Sequence, residues 1–63
     1  MKKIRVAVID DHGVVRMGLK YILGVKKKDF ELVGEWAGGE GAVQFVERTN
    51  PDVVLLDIQM STI

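Results

Sequence analysis

The sequence predicts an α/β protein in which a parallel three-stranded sheet, ordered 2-1-3, carries one helix on each face. Two short runs, at residues 6–9 and 53–56, are apolar throughout, as is typical of parallel strands covered on both faces. A third run, at residues 30–36, nearly alternates apolar and polar side chains, as is typical of an edge strand. Segments with helical spacing of apolar residues separate the strands, which gives the order βαβαβ.

The composition limits the function classes that the chain fits. Its 63 residues suffice for one small domain, and a hydrophobic content of 48% argues against disorder. Nine basic and nine acidic side chains balance, so no general charge favours a nucleic acid or a membrane as partner. There is no cysteine, and the apolar runs are too short for a membrane span or a signal peptide. We therefore expect a cytoplasmic protein.

Strand one is predicted at residues 4–9 and helix one at 13–23. Arg16 and Lys20 are predicted to lie off the apolar stripe of this helix. The stripe consists of five apolar side chains: Val14, Val15, Leu19, Ile22 and Leu23. Asp11 is a candidate N-cap for this helix, and Gly24 is a candidate stop.

The second half of the pattern follows a polar connection. In strand two, one face is predicted to hold Phe30, Leu32 and Trp36, and the other face Glu31 and Glu35. A glycine-rich turn at 38–41 leads into helix two at 40–49, which Asn50-Pro51 ends because proline disfavours a helical conformation before it. The apolar stripe of helix two is predicted to comprise Ala42, Phe45, Val46 and Thr49.

The strand order brings the acidic residues together. The two fully apolar strands are expected to be neighbours with strand two outside, and right-handed crossovers then place the helices on opposite faces. The reversal of direction makes the crevice between strands one and three a topological switch point, where such sheets bind ligands. Asp10, Asp11 and Asp57 all follow strand ends at this point.

Three carboxylates at neighbouring strand ends repel one another unless one is protonated or a cation is present. Oxygen ligands with no His or Cys nearby favour Mg²⁺ or Mn²⁺ over zinc, and a carboxylate beside such a metal can attack a phosphoryl group. The alternative is that these acids are only loop residues or helix caps. Convergence of all three on one switch point favours the metal site.

Three motifs carry a family resemblance: Val8-Ile9-Asp10-Asp11-His12, Val15-Arg16-x-Gly18-Leu19 and Pro51-Asp52-Val53-Val54-Leu55-Leu56-Asp57-Ile58-x-Met60. They resemble the first half of a bacterial response-regulator receiver domain, which has a flavodoxin-like fold with the strand order 2-1-3-4-5. The run at 10–19 is most similar to the NarL/FixJ-type transcription regulators. The resemblance covers nearly all of residues 4–60.

The resemblance implies a role for each acidic residue in phosphorelay signalling. Asp57 matches the phosphoacceptor, Asp11 the direct Mg²⁺ ligand and Asp10 the acid that holds the metal through water. The backbone carbonyl of Gln59 matches a further metal ligand. His12 adjoins the pocket, as a helix-start residue and not as the phosphodonor. The phosphodonor is a histidine on a separate sensor kinase. Such receivers are not conventional enzymes, since they catalyse only their own phosphorylation.

Residues 1–63 match only half of the receiver pattern. Strands four and five are missing from them, together with the Ser/Thr and Lys that contact the phosphoryl group and any DNA-binding domain. We therefore expect a partial receiver domain that is poorly active as it stands and binds no nucleic acid. Strand three would be an apolar edge, which predicts a homodimer through that strand.

Two other interpretations remain. A self-associating half-domain with an inert acidic pocket is the stronger. A nucleotide-binding enzyme rests only on the glycines at 38–41, which lack the spacing of a dinucleotide or P-loop motif.

Overall fold

The structure, a computed structural model, describes residues 2–57. It contains the five predicted elements in the predicted order: β1 (Ile4–Ile9), α1 (Gly13–Val25), β2 (Phe30–Trp36), α2 (Ala42–Thr49) and β3 (Val53–Leu56). The three strands are parallel and ordered β2-β1-β3, with a helix on each face. The predicted fold class is therefore confirmed.

The centre of the sheet is its most buried part. Residues 6–9 of β1 are between 0% and 3% exposed. On one face, Ala7 and Ile9 pack against Phe45 of α2, whose ring stacks on Trp36 with the ring centroids 5.4 Å apart. A Cβ at Gly34 would lie 2.8 Å from the Phe45 ring, so the glycine permits this close approach.

Helix α2 follows its predicted stripe. The half-buried or buried positions of this helix are those predicted: Ala42, Phe45, Val46 and Thr49. The helix begins at Ala42 and not at residue 40, because Gly41 has a φ of 87°, in the left-handed region. It ends, as predicted, at Asn50-Pro51.

Helix α1 keeps only part of its predicted stripe, in which Leu19 and Leu23 are half-buried. None of its residues is buried, and Val14, a predicted stripe member, is 82% exposed. Arg16 and Lys20, predicted to lie off the stripe, instead reach Glu35 of β2. The helix also continues through Gly24 to Val25, since Gly24 keeps a helical conformation, so the predicted stop is wrong.

A β-bulge changes the faces of β2. The β1–β2 register shifts after Val6, which pairs with Leu32, so that Ala7 pairs with Gly34. Because one extra residue reverses the alternation of a strand, Trp36 lies on the α2 face while Glu35 meets α1. The prediction that Trp36 shares a face with Phe30 and Leu32 is wrong for this reason.

Strand β3 pairs with β1 on one side only within the described residues. Three of its four side chains are exposed, at 43% for Val53, 36% for Leu55 and 47% for Leu56. The expectation that its apolar run is covered on both faces is wrong here, whereas the expectation of an apolar edge holds.

Candidate functional site

The carboxyl ends of β1 and β3 bring the predicted acids together. The backbone N–H of Asp57 donates to the Ile9 carbonyl at 3.1 Å, which extends the β1–β3 ladder to the acidic residues. On the other side of β1, the Asp10 N–H donates to the Trp36 carbonyl at 3.0 Å. These bonds hold Asp10 and Asp57 beside each other at the predicted switch point.

His12 lies at the centre of the cluster. Its Nδ1 is 3.0 Å from an Asp10 carboxylate oxygen, 3.0 Å from Asp11 and 3.1 Å from Asp57. One ring N–H can point well at only one acceptor, so the other carboxylates are drawn to the ring chiefly by charge. The metal argument from acids with no histidine nearby is therefore wrong, whereas His12 adjoins the pocket and starts the helix as predicted.

The carboxylates and His12 shift each other's titration. The pKa of His12 is raised, first by its hydrogen bond to the Asp10 carboxylate and then by the charge of Asp11. The pKa of Asp10 is lowered, chiefly because its carboxylate accepts the backbone N–H of His12 at 2.8 Å. Both shifts favour charged forms, so the site stabilises positive charge among its acids.

Asp10 is the buried member of the cluster, at 4% exposed. Its carboxylate accepts the backbone N–H of His12, two residues further along, in the turn before the helix. The prediction that Asp11 caps α1 is wrong, because the N-cap residue is His12 and the helix has no side-chain cap bond. Asp11 directs its carboxylate to the His12 ring instead.

An open groove of about 360 Å³ leads to these side chains. Its polar lining includes Asp10, His12 and Asp57, and its apolar lining consists of Val15, Leu19, Leu55 and Leu56. A small anionic group could enter from solvent and reach the Asp57 carboxylate, whose side chain is 18% exposed.

The donor set fits a hard divalent cation. One ligand atom from each of Asp10, Asp11, His12 and Asp57 lies within 4.8 Å of the others. Carboxylate oxygens are the ligands that Mg²⁺ and Mn²⁺ prefer, and the acids already converge on the ring nitrogen as they would on a cation. Metal entry would require the His12 ring to move aside.

The structure thus brings together the described residues that the sequence predicted for the site. Gln59, the other predicted ligand, lies outside the described residues. Sequence reasoning placed His12 beside the pocket but not at its centre, and it missed Arg16, whose Nη1 donates to the Asp10 carbonyl at 2.6 Å. No periodic pattern in the sequence indicated this reach of Arg16.

Comparison with known proteins gives a consistent result. Residues 6–63 match the family model described as "Response regulator receiver domain". The transcriptional regulatory protein DegU from Brevibacillus brevis is 48% identical over 58 residues, which cover 92% of this chain and 24% of that protein. The transcriptional regulatory protein LiaR from Bacillus subtilis (strain 168) is 44% identical over 57 residues, covering 90% of this chain and 26% of that protein.

A solved structure agrees with the family match. The signal receiver domain of NarL from Mycobacterium tuberculosis superposes with a TM-score of 0.86 at 36% identity, covering 97% of this chain and 48% of that one. The chain spans about a quarter of the length of the curated relatives DegU and LiaR. No helix within residues 2–57 is long and apolar enough to cross a membrane. The comparisons therefore confirm the resemblance to a receiver domain that the three sequence motifs indicated.

Proposed function

This chain belongs to the response regulator receiver domain family, and we propose that its acidic cluster accepts a phosphoryl group on Asp57 beside a bound Mg²⁺. The observation that supports this most is the convergence of three carboxylates on one point at the carboxyl ends of β1 and β3. A single acid at a strand end would be an ordinary loop residue. Three acids around one ring nitrogen form a site for a cation.

Each residue has a distinct role in this proposal. Asp11, on the exposed side of the cluster, binds the metal directly, and buried Asp10 holds it through water. Asp57 would help to hold the metal and would act as the nucleophile: a bond forms between its carboxylate oxygen and phosphorus while the bond from phosphorus to the histidine nitrogen of the phosphodonor breaks, and that imidazole leaves. The Gln59 carbonyl, outside the described residues, is proposed as a further ligand. Mg²⁺, or Mn²⁺, offsets the charge of the carboxylates and of the incoming phosphoryl oxygens when bound.

The partners of the whole protein follow from the family and are part of the proposal. We assign a sensor histidine kinase as phosphodonor and transcription control in the cytoplasm as the output. DegU and LiaR, which align with nearly all of this chain, are transcriptional regulatory proteins. No nucleic acid is assigned to residues 1–63, because their charges balance and they match the receiver alone.

Metal binding is the first test. A ligand that binds only the folded state raises the melting temperature, so millimolar Mg²⁺ should stabilise the protein. Asp11→Ala should abolish this response, while Asp29→Ala, in the loop before β2, should retain it. A melting temperature insensitive to Mg²⁺, or an Asp11→Ala variant that responds like the wild type, contradicts the metal site.

Phosphorylation is the second test. We propose that residues 1–63 form a partial receiver domain in which Asp57 reacts slowly, because they contain no match to the family's Ser/Thr and Lys that contact the phosphoryl group. Losing one preorganised donor typically lowers a rate by about 10²–10³-fold. Intact-mass measurement with a small phosphodonor should show slow or undetectable addition, absent in Asp57→Asn. Prompt stoichiometric addition would contradict the proposed slow reaction, and equal labelling of Asp57→Asn would contradict the assignment of Asp57.

A homodimer through β3 is a second candidate function, favoured by the exposure of Val53, Leu55 and Leu56 along an unprotected edge. A two-fold axis perpendicular to the sheet would pair β3 with its antiparallel copy and give a six-stranded sheet ordered 2-1-3-3-1-2. The acidic clusters would then lie at opposite edges of that sheet. Sedimentation at micromolar concentration tests the proposal, and a folded monomer there contradicts it.

The dimer is compatible with two outcomes for the acidic cluster. If the cluster is inert, the chain acts only as a structural homodimer, and neither Mg²⁺ nor Asp11→Ala changes its stability beyond the general effect of salt. If the cluster binds metal, the Mg²⁺ response described above accompanies dimerisation. Mg²⁺ titration of the dimer therefore separates the two.

A further inference from the structure

Arg16 is joined to two different strands through one guanidinium group. Its Nη1 donates to the backbone carbonyl of Asp10 at 2.6 Å, at the end of β1. Its Nε donates to a carboxylate oxygen of Glu35 in β2 at 3.2 Å. The side chain is only 24% exposed, although α1 as a whole has no buried residue. Arg16 is therefore held in place rather than directed to solvent.

The Asp10 carbonyl lies in the peptide link between two proposed metal ligands. It belongs to the planar peptide unit that also contains the N–H of Asp11, so its direction sets the orientation of the link between two proposed metal ligands. The backbone N–H of Arg16 donates to the His12 carbonyl at 3.1 Å. This second bond is the first backbone bond of α1 and does not depend on the side chain, so the guanidinium acts on the site through the Asp10 carbonyl.

Glu35 orients the guanidinium. One of its carboxylate oxygens accepts from Arg16, and the other lies 2.8 Å from Nζ of Lys20, one helical turn further along α1. The β-bulge after Val6 brings Glu35 to this face. Lys20 contacts the same carboxylate but has no recorded bond to Asp10, which makes it a natural control.

We propose that Arg16 is a positioning residue for the metal site, which sets the Asp10–Asp11 peptide and couples it to β2 through Glu35. The inference rests on the proposed function, since it concerns the same Mg²⁺ site. Arg16 does not contact the metal in this proposal. It acts through the backbone that presents Asp10 and Asp11.

Charge and positioning predict opposite effects of removing Arg16. A positive charge near a cation site repels the cation, so Arg16→Met would tighten Mg²⁺ binding if charge alone mattered. If Arg16 positions the peptide, the same variant binds Mg²⁺ more weakly. Arg16→Lys keeps the charge but not the planar fork that serves two acceptors, so it should also weaken binding.

The experiment measures Mg²⁺ affinity from the dependence of melting temperature on Mg²⁺ concentration in the wild type, Arg16→Lys, Arg16→Met and Lys20→Met. Loss of a group that orients metal ligands typically lowers affinity by about 10-fold or more, which we expect for both Arg16 variants. Lys20→Met removes an exposed ion pair and should stay within about twofold of the wild type. Circular dichroism establishes that each variant is folded, and Arg16→Lys decides the question if Arg16→Met is not.

A second readout requires no metal. Without Mg²⁺, the backbone amide resonances of Asp11 and His12 should move in Arg16→Lys and stay near their wild-type positions in Lys20→Met. Unmoved resonances, or unchanged or tighter Mg²⁺ binding in folded Arg16→Lys, overturn the inference. If the wild type itself does not respond to Mg²⁺, the proposed metal function fails, and with it the role of Arg16 toward that metal, whatever the amides show.

Discussion

Strands β1 and β3 have nearly the same local sequence character and opposite surroundings. Each is a short apolar run that leads directly into aspartate, and the two pair in parallel with Val8 opposite Leu55. Yet Val8 is fully buried and Leu55 is 36% exposed. The strands differ in their neighbours: β1 lies between two strands and beneath both helices, while β3 has one neighbouring strand within residues 2–57.

The comparison shows that an apolar sequence identifies a strand whose side chains are suited to burial. It does not show whether other elements cover that strand. β1 provides the core of residues 2–57, and β3 provides a surface of the same composition. Both strand ends nevertheless contribute acids to one cluster, because parallel pairing aligns their carboxyl ends. The site therefore depends on β3, whose contribution to the core is the half-buried Val54.

The largest expected effect on folding and association comes from placing a lysine at Val8 of β1 or at Leu55, its partner in β3. Val8→Lys should abolish folding, because an unpaired charge at a fully buried position costs several kcal/mol, comparable to the whole stability of a small domain. Leu55→Lys should dissociate the proposed dimer or, if the monomer cannot persist alone, unfold it. Circular dichroism and sedimentation measure the two outcomes.

Lys27→Glu, in the polar connection before β2, is the control for charge change and should alter neither folding nor association. A Val8→Lys variant that folds like the wild type would contradict the buried centre of the sheet. A Leu55→Lys variant that remains a folded dimer would contradict association through β3.

A smaller effect is expected from uncovering one face of β1. Phe45→Ala removes the ring that packs on Ala7 and Ile9, and a buried Phe→Ala substitution typically costs about 3–5 kcal/mol. Val14→Ala, on the exposed side of α1, should change stability by less than about 0.5 kcal/mol. Urea unfolding measures both. Equal losses for the two variants would show that α1 contributes to the core as much as α2.

A substitution at His12 tests the acidic cluster between the ends of β1 and β3. Its Nδ1 lies between acids that follow β1 and Asp57 that follows β3, at the position where a cation would bind. His12→Ala should therefore increase the rise in melting temperature caused by Mg²⁺ at pH 8. Thermal unfolding with and without Mg²⁺ measures this, with Lys20→Met as a control that also removes a side chain from α1. A smaller Mg²⁺ response in His12→Ala would indicate that the imidazole assists binding.

The smallest effect concerns β2, the other neighbour of β1. The pKa of Glu35 is lowered by its hydrogen bond with Lys20, to which the charges of Lys20 and Arg16 add. A lowered folded-state pKa contributes stability at neutral pH that is lost as the pH falls below the ordinary glutamate value of about 4.3 and through the folded value.

Glu35→Gln should therefore have a shallower loss of stability than the wild type in that acidic range, measured as urea unfolding between pH 6 and pH 3. Glu31→Gln, whose carboxylate has no recorded ion pair with α1, is the control. Identical acid profiles for Glu35→Gln and the wild type would show that the ion pairs with α1 contribute no stability in solution.

The two helices show how far periodicity can be interpreted. The stripe of α2 was predicted correctly because its four members face a continuous apolar surface beside Phe45. The stripe of α1 was correct only for Leu19 and Leu23, which are half-buried. Arg16 and Lys20 form ion pairs with Glu35 of β2, and Val14 is exposed to solvent. Helical spacing identified the helix in both cases, but the chemistry of the opposing strand selected its inner face.

The acidic cluster was predicted residue by residue, apart from the two groups that organise it. Asp10, Asp11 and Asp57 follow from strand ends and from the parallel order, which sequence patterns reveal. The position of the His12 ring and the reach of Arg16 to the Asp10 carbonyl depend on side-chain torsions and on the turn before α1. Such torsions leave no periodic signal in a sequence.

The sequence by itself determined the element order, the parallel sheet 2-1-3 and the meeting of three acids at one edge, because hydrophobic periodicity and crossover handedness are properties of the chain. Only the tertiary structure decided the bulge that moves Glu35 to α1, the exposure of β3 and the central place of His12. These features depend on contacts between residues far apart in the chain. Their energies come from packing and charge among the neighbours that folding brings together, and a local pattern contains no record of those neighbours.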